Sequence, residues 1–456
     1  MNITFKEIEE KFEQFMLLGD KDYIKLTYAA LIGNQMPSRK PIWLMLVAPP
    51  SSGKTTALNA FNGLRLVNAN SGEKFEPTTN ISDLTENSFA SGMNRGDKQT
   101  SLLHKIPRGG MMVFKDFTSI LSKQEQTRRV IMGQLREIYD GAYVKRTGNG
   151  EDVLWSGKIG AIAGVTESVY QHLETMSAMG DRFIMYQVQQ PDRKEMLRFK
   201  LDQEKLGFTE SSIMPVLKDL STQYLQRAFD SMADLPITLP RHHEDEIIEV
   251  ADFCTMVRSG LITNDYTGKI LFVPQPEMPA RMFEQMLALG AAFVFMRKLD
   301  DATATDLMQE DDFRIIYKIA FDSIPVVRRI ALRYLTVFGG GVDASSLAKK
   351  INYETEVVAG WLAQLNALGI VERHGRTGGG NYWKLSEKYR GVMERLDKIK
   401  ATSKSLDAEG EHEEGDEIEN HWNKNKSFEQ GMDAESIKEA INEINANNKF
   451  SDPDAW

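Results

Sequence analysis

The chain has 456 residues, 41% of them hydrophobic and 26% charged, and its formal net charge is −10. This length and apolar content predict about two to four globular domains and exclude a chain without a folded core. The apolar runs are too short to span a bilayer, and the N-terminal pattern MNITFKEIEEKF is typical of an amphipathic helix rather than an export signal. A cytoplasmic protein without membrane contact is therefore expected.

The negative charge is concentrated at the C-terminal end of the chain. Residues 401–456 contain 15 acidic and 5 basic residues, whereas residues 1–400 contain 50 of each sign. The body is neutral, so the acidic total does not argue against local basic surfaces that bind nucleic acid.

Residues 1–38 predict a leading segment of two helices. Phe5, Ile8 and Phe12 recur at helical spacing, and the tripeptide LGD interrupts the pattern. We expect this segment to precede a larger domain that begins near residue 39.

The segment LMLVAPPSSGKTTALNAF, residues 44–61, joins an apolar strand to a helix through a short loop. Such a loop directs backbone N–H groups and the positive end of a helix dipole at one small space, which suits a phosphate. In this pattern the Lys54 ammonium reaches the β- and γ-phosphates of a nucleotide, and the Thr55 hydroxyl binds Mg²⁺. The pattern begins with alanine where glycine is usual, and an incidental strand–turn–helix is the alternative. The predicted ATP site consists of Ala48, Pro49, Pro50, Ser51, Ser52, Gly53, Lys54, Thr55 and Thr56.

Residues 39–190 alternate strand patterns with helical patterns, which predicts a three-layer α/β nucleotide-binding domain. The strand patterns are IWLMLV, LRLVNA, MMVFKDF, KIGAIAGV and RFIMYQV. The third ends in Asp116, whose carboxylate is predicted to hold the water shell of Mg²⁺ opposite Thr55, although an acid at a strand end can also be merely solvated. Phe117 stands where many ATPases have glutamate, so the base that orients the attacking water stays open among Asp83, Glu86 and Glu125.

Residues 142–155, AYVKRTGNGEDVLW, predict a hairpin ahead of the fourth strand. Its first arm carries Lys145 and Arg146, which are candidates for binding the phosphates of single-stranded DNA. A basic hairpin taken alone is more often a solvated loop, and only its position in the domain favours the nucleic-acid role.

The order of these motifs resembles that of the AAA+ ATPases, in particular the branch with a hairpin before sensor 1, which includes the minichromosome maintenance helicases. The resemblance covers about residues 40–300 and includes Thr166, the polar residue that closes the fourth strand. DRF at 181–183 is similar to the Ser-Arg-Phe of those helicases, whose arginine reaches the ATP of the neighbouring subunit, and Arg182 matches it. EMPARMFEQMLALGAAFVFM at 277–296 resembles their lid helix, with Arg281 at its arginine. KDFTSIL, LREIYDG and GDRF also resemble motifs of ATPases carried by bacteriophages and other mobile elements.

This resemblance implies catalytic roles for Lys54, Asp116, Thr166, Arg182 and Arg281, with ATP and Mg²⁺ as cofactors. It also implies a ring of identical subunits, with a hexamer as the family expectation. For Arg182 the alternative is a cation that binds carbonyl groups at a helix end.

The remainder of the chain is predicted to form a helical lid at 191–312, a winged helix at 313–390 and an acidic, mostly disordered tail at 391–456. Cys254 lies in a helical pattern of the lid, so we expect a buried, unreactive thiol. Residues 342–386 resemble a winged helix-turn-helix, in which Arg373, His374 and Arg376 on the wing would meet DNA phosphates. Its second helix is acidic at the start, so packing or protein docking is the alternative.

The final residues KFSDPDAW resemble the partner-docking tips of single-strand binding proteins, and a solubilising tail is the alternative. The sequence thus predicts an ATP-hydrolysing AAA+ ring that translocates or remodels nucleic acid, such as the replicative helicase of a phage or mobile element in its host's cytoplasm. The alternative is an ATP-switched DNA-binding protein or helicase loader with little motor activity.

Overall fold

The structure is a computed structural model that describes residues 3–69, 71–90, 101–146, 152–172, 182–232, 238–264, 269–339, 341–376 and 379–405. These residues form two compact units. The first unit lies within Met1–Glu244 and Ala280–Ile319, and the second within Asp245–Pro279 and Ala320–Trp456. In the described part of the chain, no helix is both long enough and apolar enough to cross a membrane.

The elements up to residue 230 contain the strands of the central sheet. In chain order they are α1 (Phe5–Phe15), α2 (Asp22–Gln35), β1 (Trp43–Val47), α3 (Lys54–Asn59), β2 (Leu66–Val67), β3 (Lys74–Phe75), β4 (Thr78–Ile81), α4 (Leu102–Lys105), β5 (Met111–Phe114), α5 (Thr118–Leu121), α6 (Glu125–Tyr139), β6 (Ala142–Arg146), β7 (Asp152–Ser156), β8 (Gly160–Val165), a 3-10 helix (Glu167–His172), β9 (Ile184–Gln187), α7 (Arg193–Lys205) and α8 (Glu210–Asp230).

The elements from residue 241 onward are mostly helical. They are α9 (Arg241–Arg258), β10 (Ile262–Thr263), β11 (Ile270–Phe272), α10 (Ala280–Asp300), α11 (Glu310–Asp322), α12 (Val326–Phe338), β12 (Val342–Asp343), α13 (Ala344–Ile351), α14 (Thr355–Ala367), β13 (Val371–Arg376), β14 (Gly379–Leu385) and α15 (Glu387–Ser405).

The first unit is built on a five-stranded sheet in the order β4-β5-β8-β1-β9, and its strands are parallel. All five residues of β1 are buried, as expected of a central parallel strand covered on both faces. One face of the sheet packs Trp43, Met45 and Val47 in a core with apolar residues of α6 such as Leu135. The α/β class is therefore confirmed, and the carboxyl ends of the five strands lie along one edge.

The edge strand differs from the prediction. Of the pattern LRLVNA only Leu66–Val67 is a strand, and it pairs with β3 outside the central sheet. The fifth sheet strand is β4, which pairs with β5. Its sequence TTNI has three polar residues, so it carries no apolar run that a periodicity search detects.

In the second unit, α12, α13 and α14 precede the hairpin of β13 and β14, and β12 joins this hairpin in a sheet of order β12-β14-β13. Helix α14 buries Val358, Leu362 and Leu365. Cys254 is buried, and this burial raises the pKa of its thiol. Helix α15 continues to Ser405, past residue 391, at which the sequence predicts the tail to begin. Residues 406–456 lie outside the described part of the chain.

Candidate nucleotide site

The loop between β1 and α3 has the backbone of a phosphate cradle. Gly53 has a φ of +83°, and Ser51, with a φ of +63°, is one of two non-glycine residues with positive φ in the described part of the chain. Positive φ at these two positions curls the loop, so that successive backbone N–H groups point inward. Helix α3 begins at once with Lys54, and its first N–H groups have no partner within the helix. The loop and the helix start together offer donors to an anion.

Lys54 lies inside this loop and is only 8% exposed. Its ammonium donates hydrogen bonds to the carbonyl oxygens of Ala48 at 2.5 Å and Pro49 at 2.9 Å, and to Ser52 Oγ at 3.0 Å. Burial lowers the pKa of Lys54 to about 8, and the charges of Glu167 and Asp116 oppose that shift. A bound phosphate would compete with these three oxygen acceptors for the ammonium.

Asp116 and Thr166 follow β5 and β8, which are neighbours in the parallel sheet. The segment after Asp116 is tied to β8, because Phe117 N donates to Gly164 O at 3.0 Å. A Cβ at Gly164 would lie 2.8 Å from the Lys115 carbonyl oxygen, so a larger residue there would push the two strand ends apart. Asp116 and Thr166 therefore sit at the same sheet edge as the loop that follows β1.

These groups line one cavity of about 820 Å³ together with Lys54 and Thr55. A volume of this size is typical of sites for nucleotide-sized ligands. The Thr55 hydroxyl and the exposed Asp116 carboxylate are both oxygen donors, which is the ligand type that Mg²⁺ prefers when phosphate and water complete its shell. The residues present thus fit the predicted metal.

Part of the lining of the cavity is apolar and was not predicted from the sequence. The rings of Phe15 and Phe208 meet edge to face at 5.7 Å, and Met16 Cε lies 2.4 Å from the position that a Cβ on Gly53 would occupy. The apolar part of this lining is completed by Leu17, Met196, Phe199 and Ile213. An apolar lining beside a phosphate loop suits the flat ring of a nucleotide base. These residues are remote in sequence, so only the fold brings them to the loop.

The three acids that the sequence suggests as the catalytic base, Asp83, Glu86 and Glu125, form contacts outside the cavity. Asp83 pairs with Lys123 at 2.7 Å, and this hydrogen bond lowers the pKa of Asp83. Glu86 accepts a hydrogen bond from Thr127, and Glu125 pairs with Arg129. None of the three is among the described residues that line the cavity.

Glu167 is an acid that the sequence prediction missed. It directly follows Thr166, and its charge is the largest influence opposing the lowered pKa of Lys54, ahead of that of Asp116. Like the other three acids, Glu167 is not among the described residues that line the cavity, although its neighbour Thr166 is. The sequence feature that could have identified Glu167 is its position, one residue after Thr166 at the end of the fourth predicted strand.

The two predicted arginines lie together, away from this cavity. Arg182 precedes β9 and so sits at the amino edge of the sheet, whereas the cavity is at the carboxyl edge. It is 4% exposed and donates a hydrogen bond to Asp140 at 2.7 Å. Burial lowers the pKa of Arg182, and the nearby charge of Arg281 adds to this shift. Neither arginine is among the described residues that line the cavity.

Strands β6 and β7 form the antiparallel pair expected of the hairpin, and its glycine turn lies outside the described residues. Lys145 Nζ donates to Asn87 Oδ1 at 2.6 Å and to Ala90 O at 3.1 Å, whereas Arg146 is exposed. Val144 and Leu154 pair across the strands and are 55% and 63% exposed, which adds an apolar patch to the basic arm.

In the second unit, Arg373 lies exposed on β13, with its guanidinium 5.5 Å from the centre of the Trp383 ring. Arg376 is the last residue of the same strand. Both positions lie on the arm that the sequence predicts as the wing.

No protein-family model and no curated protein matches this sequence. Among solved structures, the chain is similar to a full-length MCM homolog from Methanopyrus kandleri, with 11% sequence identity and a TM-score of 0.38. The match covers 70% of this chain and 60% of that one, so it spans less than two thirds of the homolog.

Proposed function

We propose that this chain is an ATPase of the AAA+ type that acts on single-stranded DNA as a ring of identical subunits. The observation that carries the proposal is the convergence of Lys54 and Thr55 with Asp116 and Thr166 on one cavity. A phosphate loop, a strand-end carboxylate and a strand-end hydroxyl in this arrangement are the parts that phosphoryl transfer requires.

In this proposal the loop from Ala48 to Thr56 holds the phosphates of ATP, and the Lys54 ammonium balances their charge. Mg²⁺, held by Thr55 and by water on Asp116, would neutralise charge on the β- and γ-phosphates. Thr166 orients a water molecule, and Glu167 accepts its proton as the water oxygen bonds to the γ-phosphorus. The bond from that phosphorus to the bridging oxygen then breaks, and ADP leaves with its charge stabilised by Lys54.

Arg182 and Arg281 are proposed to act on the nucleotide of a neighbouring subunit. Their position at the amino edge supports this, because a β-strand of four or five residues is about 15 Å long, beyond the reach of an arginine to the chain's own phosphate loop. Contact with a neighbour's phosphate requires the Arg182 side chain to leave Asp140. A ring closed by such contacts, with six subunits as the family expectation, couples hydrolysis between subunits.

The DNA contacts are proposed to come from Lys145 and Arg146 on the hairpin, with Arg373 and Arg376 of a winged helix as a second contact. Cations on a hairpin bind phosphates independently of base sequence, as a translocating ring needs. We propose that a phage or mobile-element helicase would use both the hairpin contact and the winged-helix contact. Its acidic tail would recruit a replication partner.

A second candidate is an ATP-switched DNA-binding protein or helicase loader with little motor activity. Two observations favour it: phenylalanine follows Asp116, and Lys145 is held by Asn87 and Ala90 of its own chain. In this case ATP sets the oligomeric state and hydrolysis is slow.

An ATPase assay with and without single-stranded DNA distinguishes the two candidates. The ring ATPase should turn over and be stimulated by DNA, with Asp116→Ala as the inactive control. Oligomerisation on ATP binding without DNA-stimulated turnover would favour the loader, and an absence of ATP binding would overturn both.

A further inference from the structure

A cluster of metal-ligating side chains lies outside the nucleotide cavity, at the starts of α9 and α11. The segments that lead into these helices run side by side: Thr238 and Leu307 form a parallel bridge, and Met308 N donates to Thr238 O at 3.3 Å. This pairing sets the first turn of α9, with His242 and His243, beside Glu310, the first residue of α11.

The three side chains converge on one point. His243 Nε2 lies 2.8 Å from Glu310 Oε1, and His242 Nε2 lies 3.8 Å from the same oxygen. One ligand atom from each residue lies within 4.8 Å of the other two. Atoms bound to one tetrahedral metal at about 2.0–2.1 Å are roughly 3.3 Å apart, so small side-chain rotations suffice to bring all three to binding distance.

The His243 ring is held in place from two sides. It is buried against the Phe313 ring, with 3.7 Å between ring centres and an interplanar angle of 19°. Its Nδ1 faces the Tyr317 hydroxyl at 3.5 Å, while its Nε2 points toward Glu310. Histidine ligands commonly have their second ring nitrogen fixed by such a hydrogen bond, which sets the tautomer and directs the other nitrogen at the metal.

We propose that His242, His243 and Glu310 bind one divalent transition-metal ion, with Zn²⁺ the best fit. Two imidazoles and a carboxylate are a common three-ligand set for Zn²⁺, with water in the open position. His242 and Glu310 have side chains 67% and 80% exposed, so the ion can enter from solvent and keep that water. The nitrogen ligands set this site apart from the oxygen-lined nucleotide site, which suits Mg²⁺. The bound ion fastens the start of α9 to the start of α11.

The test is a Zn²⁺ titration of the chelator-treated full-length protein in competition with a chromogenic chelator, with Co²⁺ absorption as the readout of ligand geometry. The wild type should bind one ion at this site. His242→Ala and Glu310→Gln change exposed side chains, so they should fold normally and lose affinity on the order of tenfold or more. Zn²⁺ should also raise the melting temperature of the wild type and not that of these variants.

The matched control is His374→Ala, because His374 also lies near a carboxylate, with its Nε2 3.4 Å from Glu372. This variant should bind Zn²⁺ like the wild type. A second control, His412→Ala with His421→Ala, removes the two histidines of the acidic tail. If Zn²⁺ affinity is unchanged in His242→Ala and Glu310→Gln, or is lost only in the tail variant, the cluster is a hydrogen-bonded helix junction and the proposal is wrong.

Discussion

The Lys54 ammonium donates a 2.5 Å hydrogen bond to the carbonyl oxygen of Ala48, the residue that opens its own loop. Because burial lowers the pKa of Lys54 to about 8, the lysine is partly neutral above that pH, whereas a bound polyphosphate favours the ammonium. Well below pH 8 the proton is already present, so nucleotide affinity should depend little on pH through Lys54 there, and it should fall as the pH rises through 8.

The linked proton can be measured by calorimetry in buffers of different ionisation enthalpy. Nucleotide binding should take up a larger fraction of a proton at pH 8.5 than at pH 7. Lys54→Arg is the control, because arginine stays charged throughout this range. Equal proton uptake by the wild type and this variant at pH 8.5 would contradict the assignment.

Lys54→Ala and Asp116→Ala should separate binding from turnover. Loss of the cradle's ammonium should weaken ATP binding by roughly 10- to 100-fold or more, since charged hydrogen bonds are lost. Asp116→Ala should bind ATP almost normally and lose hydrolysis, because the carboxylate acts on the water of the metal. Calorimetry and phosphate release measure the two effects, and wild-type ATP affinity in Lys54→Ala would exclude the loop as the site.

Glu167→Gln should retain ATP binding and lower the hydrolysis rate by roughly 100-fold or more, as expected when a general base is removed. The matched controls are Asp83→Asn, Glu86→Gln and Glu125→Gln, whose carboxylates are engaged outside the cavity. A larger rate loss in any of the three than in Glu167→Gln would reassign the base.

Arg182→Ala should bind ATP normally and lose hydrolysis, and mixing it with Lys54→Ala should partly restore activity. The two defects fall on opposite sides of a shared subunit boundary, so some boundaries in a mixed ring are intact. Arg129→Ala, which removes an exposed cation paired with Glu125, is the control and should be active alone. Absence of rescue at every mixing ratio would indicate that Arg182 acts only within its own chain, through Asp140.

Changing Lys145 and Arg146 together to alanine should weaken binding to unrelated single strands equally and remove DNA stimulation, while basal hydrolysis persists. The dependence of affinity on salt should fall by about two phosphate contacts. Filter binding across a salt series gives both values. If the double variant behaves like the wild type while Arg373→Ala with Arg376→Ala abolishes binding, the C-terminal unit handles DNA and the loader becomes the better proposal.

Short sequence patterns predicted those elements whose structure depends on a few neighbouring residues. The buried strand β1, the loop to Thr56 and the hairpin strands all follow from runs of a few residues. Strand β4 was not predicted, because its sequence TTNI is mostly polar and contains no apolar run. The meeting of Phe15 with Phe208, and the burial of Arg182 against Asp140, depend on packing between distant segments, which periodicity does not encode.

The connection between the N-terminal helices α1 and α2 packs closely against the elements that form the nucleotide cavity. Met16 lies against Gly53, and a Cβ at Gly19 would meet the backbone of Gln190 at 2.4 Å, so the α1–α2 connection fits between the phosphate loop and the segment after β9. Replacing Phe15 and Leu17 by alanine would keep every residue of the phosphate motif and the buried helix α2, and would remove part of the apolar lining of the cavity. On the proposal that this lining contacts the base, the variant should discriminate between ATP and inorganic polyphosphate less well than the wild type, although no residue of the motif has changed.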